Sequence, residues 1–449
     1  MEVCTVGGYD EVGKNMTAVK IKDDVILFDA GVFLPALVEF QEREPEKSSS
    51  RTGIDMRRIG ALPDDTVLDK IGWRDKVRAI IIGHAHLDHI GAVPYIASRY
   101  PKAKIIATPF TIEFLESMLR DEKITLRNQR IKVNENSTYV IKGKSGSYKA
   151  EFIHATHSTI QCAFICLYTD EGTLFYTLDF KFDDHPVIGK PSNYKRLGEI
   201  AKKGIDVLVA DALYAGNERR TPSERIARDL VEDAINSVKD MNSALIISTF
   251  SSHIARLKSI VDFGKKTGRK IVFLGRSLDR YVNCAVKVRL CPFRRDVMIL
   301  KYRKQINSFL SKANKDKGRY LIVCTGHQAE PGSVLDRIVK GETPFTLEEG
   351  DNVLFSSSVI PVDKNIKSRE KMDNELKKKG VRIQTDLHVS GHGSREDLRN
   401  LIDLLKPTHL IPAHGGTDMT KPMIELASEL GYKSGKTSHM SSNGKVLKL

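Results

Sequence analysis

The sequence predicts an α/β protein in which a layered α/β domain is interrupted by a second α/β domain with a parallel sheet. Three observations predict this fold class. Short β-branched runs are followed directly by histidine or aspartate, as at the edge of a layered sheet. From about residue 205, helix and strand patterns alternate, which is typical of a parallel sheet flanked by helices. The length of 449 residues also exceeds what one hydrophobic core usually supports.

The layered domain is predicted from apolar runs that end in polar residues. Rigid strands of this kind aim the residues that follow them at one edge of a sheet. The runs are 25–28 before Asp29, 79–83 before the sequence HAHLDH, 174–178 before Asp179, and 408–412 before His414.

Residues 33–66 differ from this pattern. They contain the charged stretch FQEREPEKSSSRTG and lack periodic hydrophobicity. We therefore expect an exposed loop or mobile flap there.

The second domain is predicted from repeated helix and strand units. The sequence Thr221-Pro222-Ser223-Glu224 is interpreted as a capping box with proline at the first helical position. Ser394 is expected to cap a later helix that ends at Pro407. The other predicted elements are strands at 244–249, 270–275, 319–325 and 352–356, and a helix near 253–266.

The composition indicates a soluble protein with a polyanionic partner. The formal net charge is +14 and the pI is about 9.3, which suits a polyanionic partner, with a basic proteome or a solvated basic surface as the alternative from charge alone. No apolar run approaches the roughly 18 residues that span a membrane. None of the six cysteines forms a C-x-x-C pair, so reduced thiols and a cytoplasmic location are expected.

A metal centre is predicted from four potential ligands that directly follow the run at 79–83. His84, His86, Asp88 and His89 lie within six residues. Imidazole and carboxylate groups suit zinc and similar ions, and this density favours two ions over one. A lone histidine is more often a packed or surface residue, but packing does not explain four such groups together.

Two sites need further ligands, and His157, Asp179 and His414 are the candidates. Each signal is weak alone, with a structural role as the competing interpretation, but all three follow apolar runs. Asp179 is expected to bridge both ions, because a carboxylate offers two oxygens. Two cations about 3.5–4 Å apart would activate water and polarise a phosphoryl oxygen, so no protein nucleophile is required. The 234 residues between Asp179 and His414 are long enough to hold the inserted domain.

The order Asp29, HAHLDH, His157, Asp179 resembles the metallo-β-lactamase superfamily. Further motifs resemble its β-CASP nuclease branch, namely Asp211 in VLVADALYAG, His388 and His392 in HVSGHGS, and His414 in IPAHGG. Over nearly the whole chain, GGYDEVGKNM, TPSE, GRSL, TGHQAEPGSVLDRI and SSSVIP resemble the ribonuclease J family. The chain ends 35 residues after His414, which is similar to the compact archaeal members.

This resemblance implies a metallo-β-lactamase αββα sandwich with an inserted parallel-sheet β-CASP domain. The expected division is residues 1–215, an insert at 216–350, and a returning part at 351–449. The implied activity is hydrolysis of single-stranded RNA, mainly 5′-to-3′ from a 5′-monophosphate end and also endonucleolytic. The implied cofactors are two Zn²⁺ ions per chain, with Mn²⁺ as an alternative, and a homodimer is one assembly that the resemblance allows.

The resemblance also implies roles for residues around the metals. Asp29 would orient the metal ligands by hydrogen bonding to them, without binding the metal itself. His392 would be the general acid for the leaving 3′ oxygen, oriented by Asp211, and His388 would contact the scissile phosphate. The competing interpretation of His392 is a histidine that satisfies a glycine-rich turn.

RNA contacts are expected in the inserted domain. Residues 281–320 contain eleven Lys or Arg against two Asp, although such a run is usually a solvated face. Tyr302 and Phe293 are candidates for base stacking, with core packing as the alternative. The candidate phosphate-binding residues are Arg276, Ser277, Ser356, Ser357 and Ser358, with ordinary strand-to-helix turns and capping serines as the alternative, together with His388 and Ser390 of the HVSGHGS motif.

Three alternatives remain open from the residues. A metal-dependent hydrolase of small esters or thioesters explains HAHLDH, but not the basic insert or the pair of His392 with Asp211. A catalytically inactive RNA-binding subunit would have lost metal ligands, whereas every expected ligand is present. DNA is a third possibility, because no residue can be tied to reading a 2′-hydroxyl.

Overall fold

The structure, a computed structural model, describes residues 1–43, 52–177, 179–360 and 363–449. The chain divides into two compact units. The first comprises Met1–Asp184, Lys190–Thr221 and Gly391–Leu449, and the second comprises His185–Gly189 and Pro222–Ser390.

The strands are numbered along the chain. They are β1 Glu2–Gly7, β2 Met16–Ile21, β3 Asp24–Phe28, β4 Val77–Ile82, β5 Lys104–Ala107, β6 Arg130–Lys132, β7 Ser137–Lys142, β8 Ser147–Ala155, β9 Cys162–Thr169, β10 Gly172–Tyr176, β11 Val207–Asp211, β12 Leu245–Ser248, β13 Lys270–Leu274, β14 Val297–Leu300, β15 Tyr320–Cys324, β16 Asn352–Phe355, β17 Arg382–Gln384, β18 His409–Ala413 and β19 Lys445–Lys448.

The helices are numbered in the same way. They are α1 Leu34–Arg43, α2 Gly53–Arg58, α3 Val67–Lys70, α4 Leu87–Ile90, α5 Val93–Ile96, α6 Pro109–Asp121, α7 Tyr194–Ala201, α8 Glu224–Asn236, α9 Ile254–Lys266, α10 Arg276–Lys287, α11 Arg303–Ala313, α12 Val334–Val339, α13 Asp363–Lys378, α14 Arg395–Leu405 and α15 Thr417–Glu429.

The first unit is built on two sheets that pack face to face. One sheet has the strand order β19-β1-β2-β3-β4-β5-β6, and the other has the order β18-β11-β10-β9-β8-β7. Ile26 and Ile81 of the first sheet share one buried cluster with Phe152 and Val209 of the second. The β-branched runs of the sequence form this core because both faces of their strands are buried.

Helices cover the outer faces of this sandwich. Leu197 of α7, Leu398 of α14 and Met423 of α15 pack with Phe164 and Phe175 of the six-stranded sheet. On the other sheet, α6 contacts β5 and β6. The predicted metallo-β-lactamase αββα sandwich is therefore confirmed.

The second unit contains one six-stranded sheet with the order β14-β13-β15-β12-β16-β17. Every pair of neighbouring strands in it is parallel. Val272 and Ile322 from this sheet pack with Leu310 of α11 and Leu376 of α13. The predicted parallel sheet flanked by helices is confirmed.

The compact second unit extends further along the chain than the predicted insert at 216–350. Strand β16 pairs with β12, and β17 pairs with β16, so both belong to the sheet of the second unit. The chain returns to the first unit at Gly391 instead of at residue 351. The single run at 352–356 carries no signal in the sequence that tells which sheet it joins.

Two local predictions are wrong. Residues 33–66 include the helices α1 and α2 instead of one exposed loop, and Phe40 and Met56 are buried. The part of that stretch from 44 to 51 lies outside the described residues. The helix expected to start in Thr221–Glu224 begins at Glu224, and Ser223 is its N-cap, accepting a hydrogen bond from the backbone N–H of Arg225. The hydroxyl of Thr221 instead donates to the carbonyl of His392.

The other local predictions that bear on the site are met. Ser394 caps α14 in a capping box with Asp397, and Pro407 follows the end of that helix. The cysteines are free thiols, and only Cys291 among them is partly exposed. Within the described ranges, no helix combines the length and apolar character needed to cross a lipid bilayer.

Candidate active site

The residues predicted to bind metal converge in the first unit. They come from both sheets, because each follows a strand whose end lies at the same edge of the sandwich. His84 to His89 follow β4 and lie at or in α4, His157 follows β8, Asp179 follows β10, Asp211 ends β11, and His414 follows β18.

One group of potential ligands consists of His84, His86, His157 and Asp179, whose donor atoms lie within 4.8 Å of one another. The Nδ1 atom of His86 lies 3.1 Å from Nε2 of both His84 and His157. The Nδ1 atom of His157 lies 2.7 Å from the carbonyl oxygen of Gly391, which can only accept a hydrogen bond. Nε2 of His157 therefore faces the group with a free lone pair, as metal ligation requires.

A second group consists of Asp88, His89, Asp179 and His414. The Nε2 atom of His89 lies 3.0 Å from Oδ2 of Asp179, and Nε2 of His414 lies 3.7 Å from Oδ2 of Asp88. Asp179 belongs to both groups. Its Oδ1 atom is buried and has no hydrogen-bond partner among the described residues, as expected of an oxygen available to a cation.

The electrostatics of the first group suit a cation. Burial lowers the pKa of His84 and His157 well below the usual value and that of His86 to about 4. These imidazoles are therefore neutral at pH 7, which is the form that binds metal.

The second group has anionic surroundings. Burial opposes charge on His89, but Asp179, Asp29 and Asp88 outweigh it and raise the pKa of His89 well above its usual value. The carboxylates that stabilise the proton on His89 would equally stabilise a metal cation that replaces this proton. Asp29 holds the ring, because its Oδ2 lies 2.7 Å from Nδ1 of His89 while its Oδ1 accepts from the N–H of Gly83.

Asn15 was missed by the sequence reasoning. Its side-chain amide lies 2.6 Å from Nδ1 of His414 and 3.2 Å from Nε2 of His89, and it donates to the carbonyl of Asp88. Asn15 thus orients the second ligand group. It belongs to the motif GGYDEVGKNM, but a single amide has no spacing pattern that assigns it to a metal site.

Backbone strain occurs at two residues of this site. Asp29 and His414 have φ values of 61° and 64°, in the left-handed region that non-glycine residues rarely adopt. The N–H of His414 donates to the carbonyl of Gly8 at 2.7 Å, which stabilises this conformation. Strain of this kind is typical of functional positions.

His392 and Asp211 form a pair beside the metal ligands. Nδ1 of His392 lies 2.8 Å from Oδ2 of Asp211, and its Nε2 lies 3.7 Å from Oδ2 of Asp179. Burial alone would lower the pKa of His392, but these two carboxylates raise it to about 9. The ring of His392 stacks on that of His414 with 5.5 Å between centroids.

The predicted phosphate-binding residues of the second unit lie at two positions on one sheet edge. Arg276 and Ser277 are exposed at the start of α10, after β13. Ser357 and Ser358 follow β16, three strand spacings or roughly 14 Å further along the sheet. His388 and Ser390 are half-buried in the segment after β17.

His327 was also missed by the sequence reasoning. It is buried after β15, and both of its ring nitrogens have no hydrogen-bond partner among the described residues. The buried hydroxyl groups of Ser248 and Ser357, at the ends of the neighbouring strands β12 and β16, also have no hydrogen-bond partner among the described residues. In the sequence, His327 is a lone histidine in TGHQAEP, and no pattern around it indicates a functional position.

The αββα sandwich and the ligand cluster at its edge define a metal-dependent hydrolase of the metallo-β-lactamase class. Three family models match the chain: the metallo-beta-lactamase superfamily over residues 9–176, the ribonuclease J beta-CASP domain over residues 242–375, and the Zn-dependent metallo-hydrolase RNA specificity domain over residues 380–437.

Similar proteins identify the family. Ribonuclease J of Pyrococcus abyssi is 38% identical over 450 residues, covering 100% of this chain and 97% of the relative. Ribonuclease J of Methanocaldococcus jannaschii is 37% identical, covering 100% and 98%. Ribonuclease J2 of Bacillus subtilis is 28% identical, covering 96% and 72%. The chain belongs to the ribonuclease J family and is a hydrolytic enzyme.

A solved structure supports the fold alone. The crystal structure of a protein of unknown function from Enterococcus faecalis V583 superposes with a TM-score of 0.64 at 20% identity, covering 100% of this chain and 99% of that one.

Proposed function

We propose that this chain is a two-metal ribonuclease that degrades 5′-monophosphorylated single-stranded RNA from the 5′ end, with additional endonuclease activity. It would act in the maturation and decay of RNA. One observation carries the proposal: Asp179 is shared by two groups of four potential ligands and by a third group that consists of Asp179 and the pair of His392 with Asp211.

The proposed metal ligands follow from the two groups. His84, His86 and His157 would hold one Zn²⁺ or Mn²⁺ ion, and Asp88, His89 and His414 would hold the other. Asp179 would contribute to both. Two such ions lower the pKa of water enough to make it a nucleophile at neutral pH and polarise the phosphoryl oxygen.

A side chain of the protein supplies the proton that the leaving group needs. We assign His392 as the general acid, because Asp211 holds its Nδ1 and leaves the Nε2–H directed toward Asp179. The leaving 3′ oxygen needs a proton as the P–O bond breaks, and a protonated imidazole supplies it. Asp29 would keep His89 in the ligating orientation, and the side-chain amide of Asn15 would hold the ring of His414 in position.

Selection of the 5′ end is assigned to the second unit. The buried hydroxyl groups of Ser248 and Ser357 and the ring of His327 lie at the ends of three adjacent strands. Burial lowers the pKa of His327, so its ring is neutral and offers one N–H donor. Hydrogen-bond donors at the carboxyl edge of a parallel sheet suit a terminal phosphate.

The basic run supports single-stranded RNA as the partner. Arg289, Arg295, Arg303, Lys304 and Lys312 are exposed, and no ion pair is found for them within the described part of the chain. Tyr302 is 57% exposed and is available for stacking, whereas Phe293 is buried in the core. Homodimer formation stays a prediction.

The 5′-end assignment is tested by comparing rates on 5′-monophosphate and 5′-triphosphate RNA. His327→Ala and Ser357→Ala should each reduce the preference for the monophosphate by about tenfold or more, since a hydrogen bond to a charged group is lost. Arg276→Ala tests the other predicted position on the same edge. An unchanged preference in the first two variants together with a loss in Arg276→Ala would move the pocket to the start of α10.

The activity is tested by digesting RNA labelled at the 5′ or the 3′ end, with and without a chelator. Stepwise release of labelled mononucleotide from the 5′ end, abolished by the chelator, is the expected result. A thioester substrate provides the comparison. Faster thioester turnover would favour a small-molecule hydrolase, and RNA affinity without cleavage at saturating Zn²⁺ or Mn²⁺ would favour a non-catalytic RNA-binding protein. Equal cleavage of matched DNA would remove the restriction to RNA.

A further inference from the structure

The second unit contains a fully buried cation that the proposed mechanism does not use. Arg256, on α9, is 0% exposed and is the largest fully buried side chain among the described residues. A buried guanidinium is costly to desolvate unless all of its donors find acceptors. Its contacts therefore indicate what it holds together.

One side of Arg256 is bound by a carboxylate. Its Nε and Nη2 donate to the two oxygens of Glu224, the first residue of α8, at 2.7 and 2.9 Å. Glu224 is only 4% exposed. This bidentate pair neutralises the buried charge and fixes the plane of the guanidinium.

The other side of Arg256 joins two loops. Nη1 donates at 2.9 Å to the carbonyl oxygens of Ser356 and Leu387. The hydroxyl of Ser356 also donates to the carbonyl of Leu387 at 2.9 Å. The segment that leads into the HVSGHGS motif is thereby fixed to the end of β16.

The same Nη1 reaches the ring of His388. It lies 3.4 Å from Nδ1 of His388. Nη1 shares its two hydrogens with Ser356 and Leu387, so His388 receives only part of a hydrogen bond. Arginine has donors and no acceptor, and a proton on Nδ1 would face the cationic guanidinium, so the contact favours the tautomer with the ring proton on Nε2. The ring of Phe250 lies beside this imidazole, with 5.9 Å between the two centroids and an angle of 51° between the rings.

We propose that Glu224 and Arg256 are positioning residues that fix His388 as the Nε2–H tautomer, so that His388 binds an RNA phosphate as a neutral hydrogen-bond donor. This inference rests on the proposed ribonuclease function. It separates the two histidines of HVSGHGS: His388 would donate a hydrogen bond without transferring its proton, whereas His392 transfers one.

The test replaces the pair as a unit. Removing one partner leaves an unpaired buried charge and can unfold the protein, so the main variant is Glu224→Leu/Arg256→Met, in which two apolar groups fill the space. Arg228→Met is the matched control, because Arg228 pairs with Asp262 at 2.8 Å across the same two helices and contacts neither loop. We expect kcat on 5′-monophosphorylated RNA to fall on the order of 100-fold in the double variant and to stay unchanged in the control.

A combination with His388→Ala shows whether Arg256 acts through His388. In the His388→Ala background, the double substitution should cause no further loss of kcat. Losses that multiply instead would mean that Arg256 and Glu224 act on the reaction by another route, and would overturn the proposal.

Nitrogen NMR of the full chain labelled with ¹⁵N-histidine tests the tautomer without RNA, with His388→Gln for assignment. We expect Nδ1 of His388 to have the shift of an unprotonated nitrogen in the parent protein and to move toward the average of two tautomers in the double variant. A protonated Nδ1 in the parent, or an unchanged Nδ1 in the variant, would overturn the proposal. If the tautomer is as expected but the parent cleaves no RNA, the proposed function is the part that fails.

Discussion

His392 lies between two carboxylates at the residue scale of this site. Asp211 binds its Nδ1 at 2.8 Å, and Asp179 lies 3.7 Å from its Nε2. The protonated ring is the form that can donate to a leaving group, so activity should be lost as the pH rises through the pKa of His392. In the metal-free chain the carboxylates raise that pKa to about 9 against the effect of burial. Cations bound by Asp179 would lower it, so the protonated form would then depend mainly on Asp211.

The change Asp211→Asn should therefore shift the basic limb of the pH profile of kcat. It removes one anionic neighbour and lowers the pKa of His392, so activity should decline at a pH lower by about 1 to 3 units. The profile of RNA cleavage between pH 6 and about 10 measures this shift. Asp403→Asn, at an exposed residue of α14, is the control. A basic limb that keeps its position in Asp211→Asn would remove His392 from the role of general acid.

A second prediction at this scale concerns Asn15. Asn15→Ala should lower metal affinity by about 10- to 100-fold, because His414 and His89 lose the amide that orients them. Titration of the metal-free protein with Zn²⁺ measures the effect. Asn128→Ala is matched, since its buried amide donates to the carbonyls of Tyr100 and Ala103 and touches no ligand. Equal metal affinities in the two variants would contradict the role of Asn15.

Single residues were predictable from the sequence where a pattern surrounds them. The four potential ligands of HAHLDH follow one strand at fixed spacing, and His157, Asp179 and His414 follow strands of their own. Asn15 and His327 have no such pattern. The role of Asn15 depends on a contact with a residue 399 positions away in the sequence, and that of His327 on the strand ends beside it, and only folding creates these arrangements.

At the scale of elements, the turn that carries His392 also holds His157, a proposed metal ligand, in place. Gly391 accepts a hydrogen bond from His157, and a Cβ at Gly391 would lie 2.8 Å from Ser158 and 3.0 Å from Cε1 of His157. A side chain at this position would therefore push the turn and the ligand apart. Only glycine allows this close approach.

Gly391→Ala should accordingly displace His157 and lower both metal content and activity. Metal analysis of the purified variant, beside its thermal unfolding temperature Tm, separates loss of metal from general unfolding. The control is Gly198→Ala in α7, where the added methyl group meets no atom within 4 Å and should slightly stabilise the helix. Full metal occupancy in Gly391→Ala would show that the turn moves and that His157 keeps its position.

Elements were predictable where hydrophobic periodicity decides them. The strands β12, β13, β15 and β16 lie where the apolar runs placed them. In 33–66, helices form because residues such as Phe40 and Met56 are buried, which no local pattern indicates. The return of the chain at Gly391 depends on the pairing of β16 with β12, which is a tertiary contact.

At the scale of the whole molecule, the proposed metal ligands come from strand ends of both sheets of the first unit. Metal binding should therefore stabilise the native chain. At free metal 100 to 1,000 times the Kd, the gain in unfolding free energy is about 2.7 to 4.1 kcal/mol per site. Adding a chelator should lower Tm in calorimetry, and the decrease should be smaller in His414→Ala, which lacks one ligand. Identical decreases in both proteins would argue against His414 as a ligand.

The position of His414 has a consequence for protein synthesis. Strand β18 lies beside β11, and it delivers this histidine only after the whole second unit has been translated. A nascent chain still attached to its ribosome upstream of that codon has four of the potential ligands for one cation group and lacks a member of the other. If both cation groups are needed for cleavage, as proposed, a chain that has not yet been translated as far as His414 should not hydrolyse RNA.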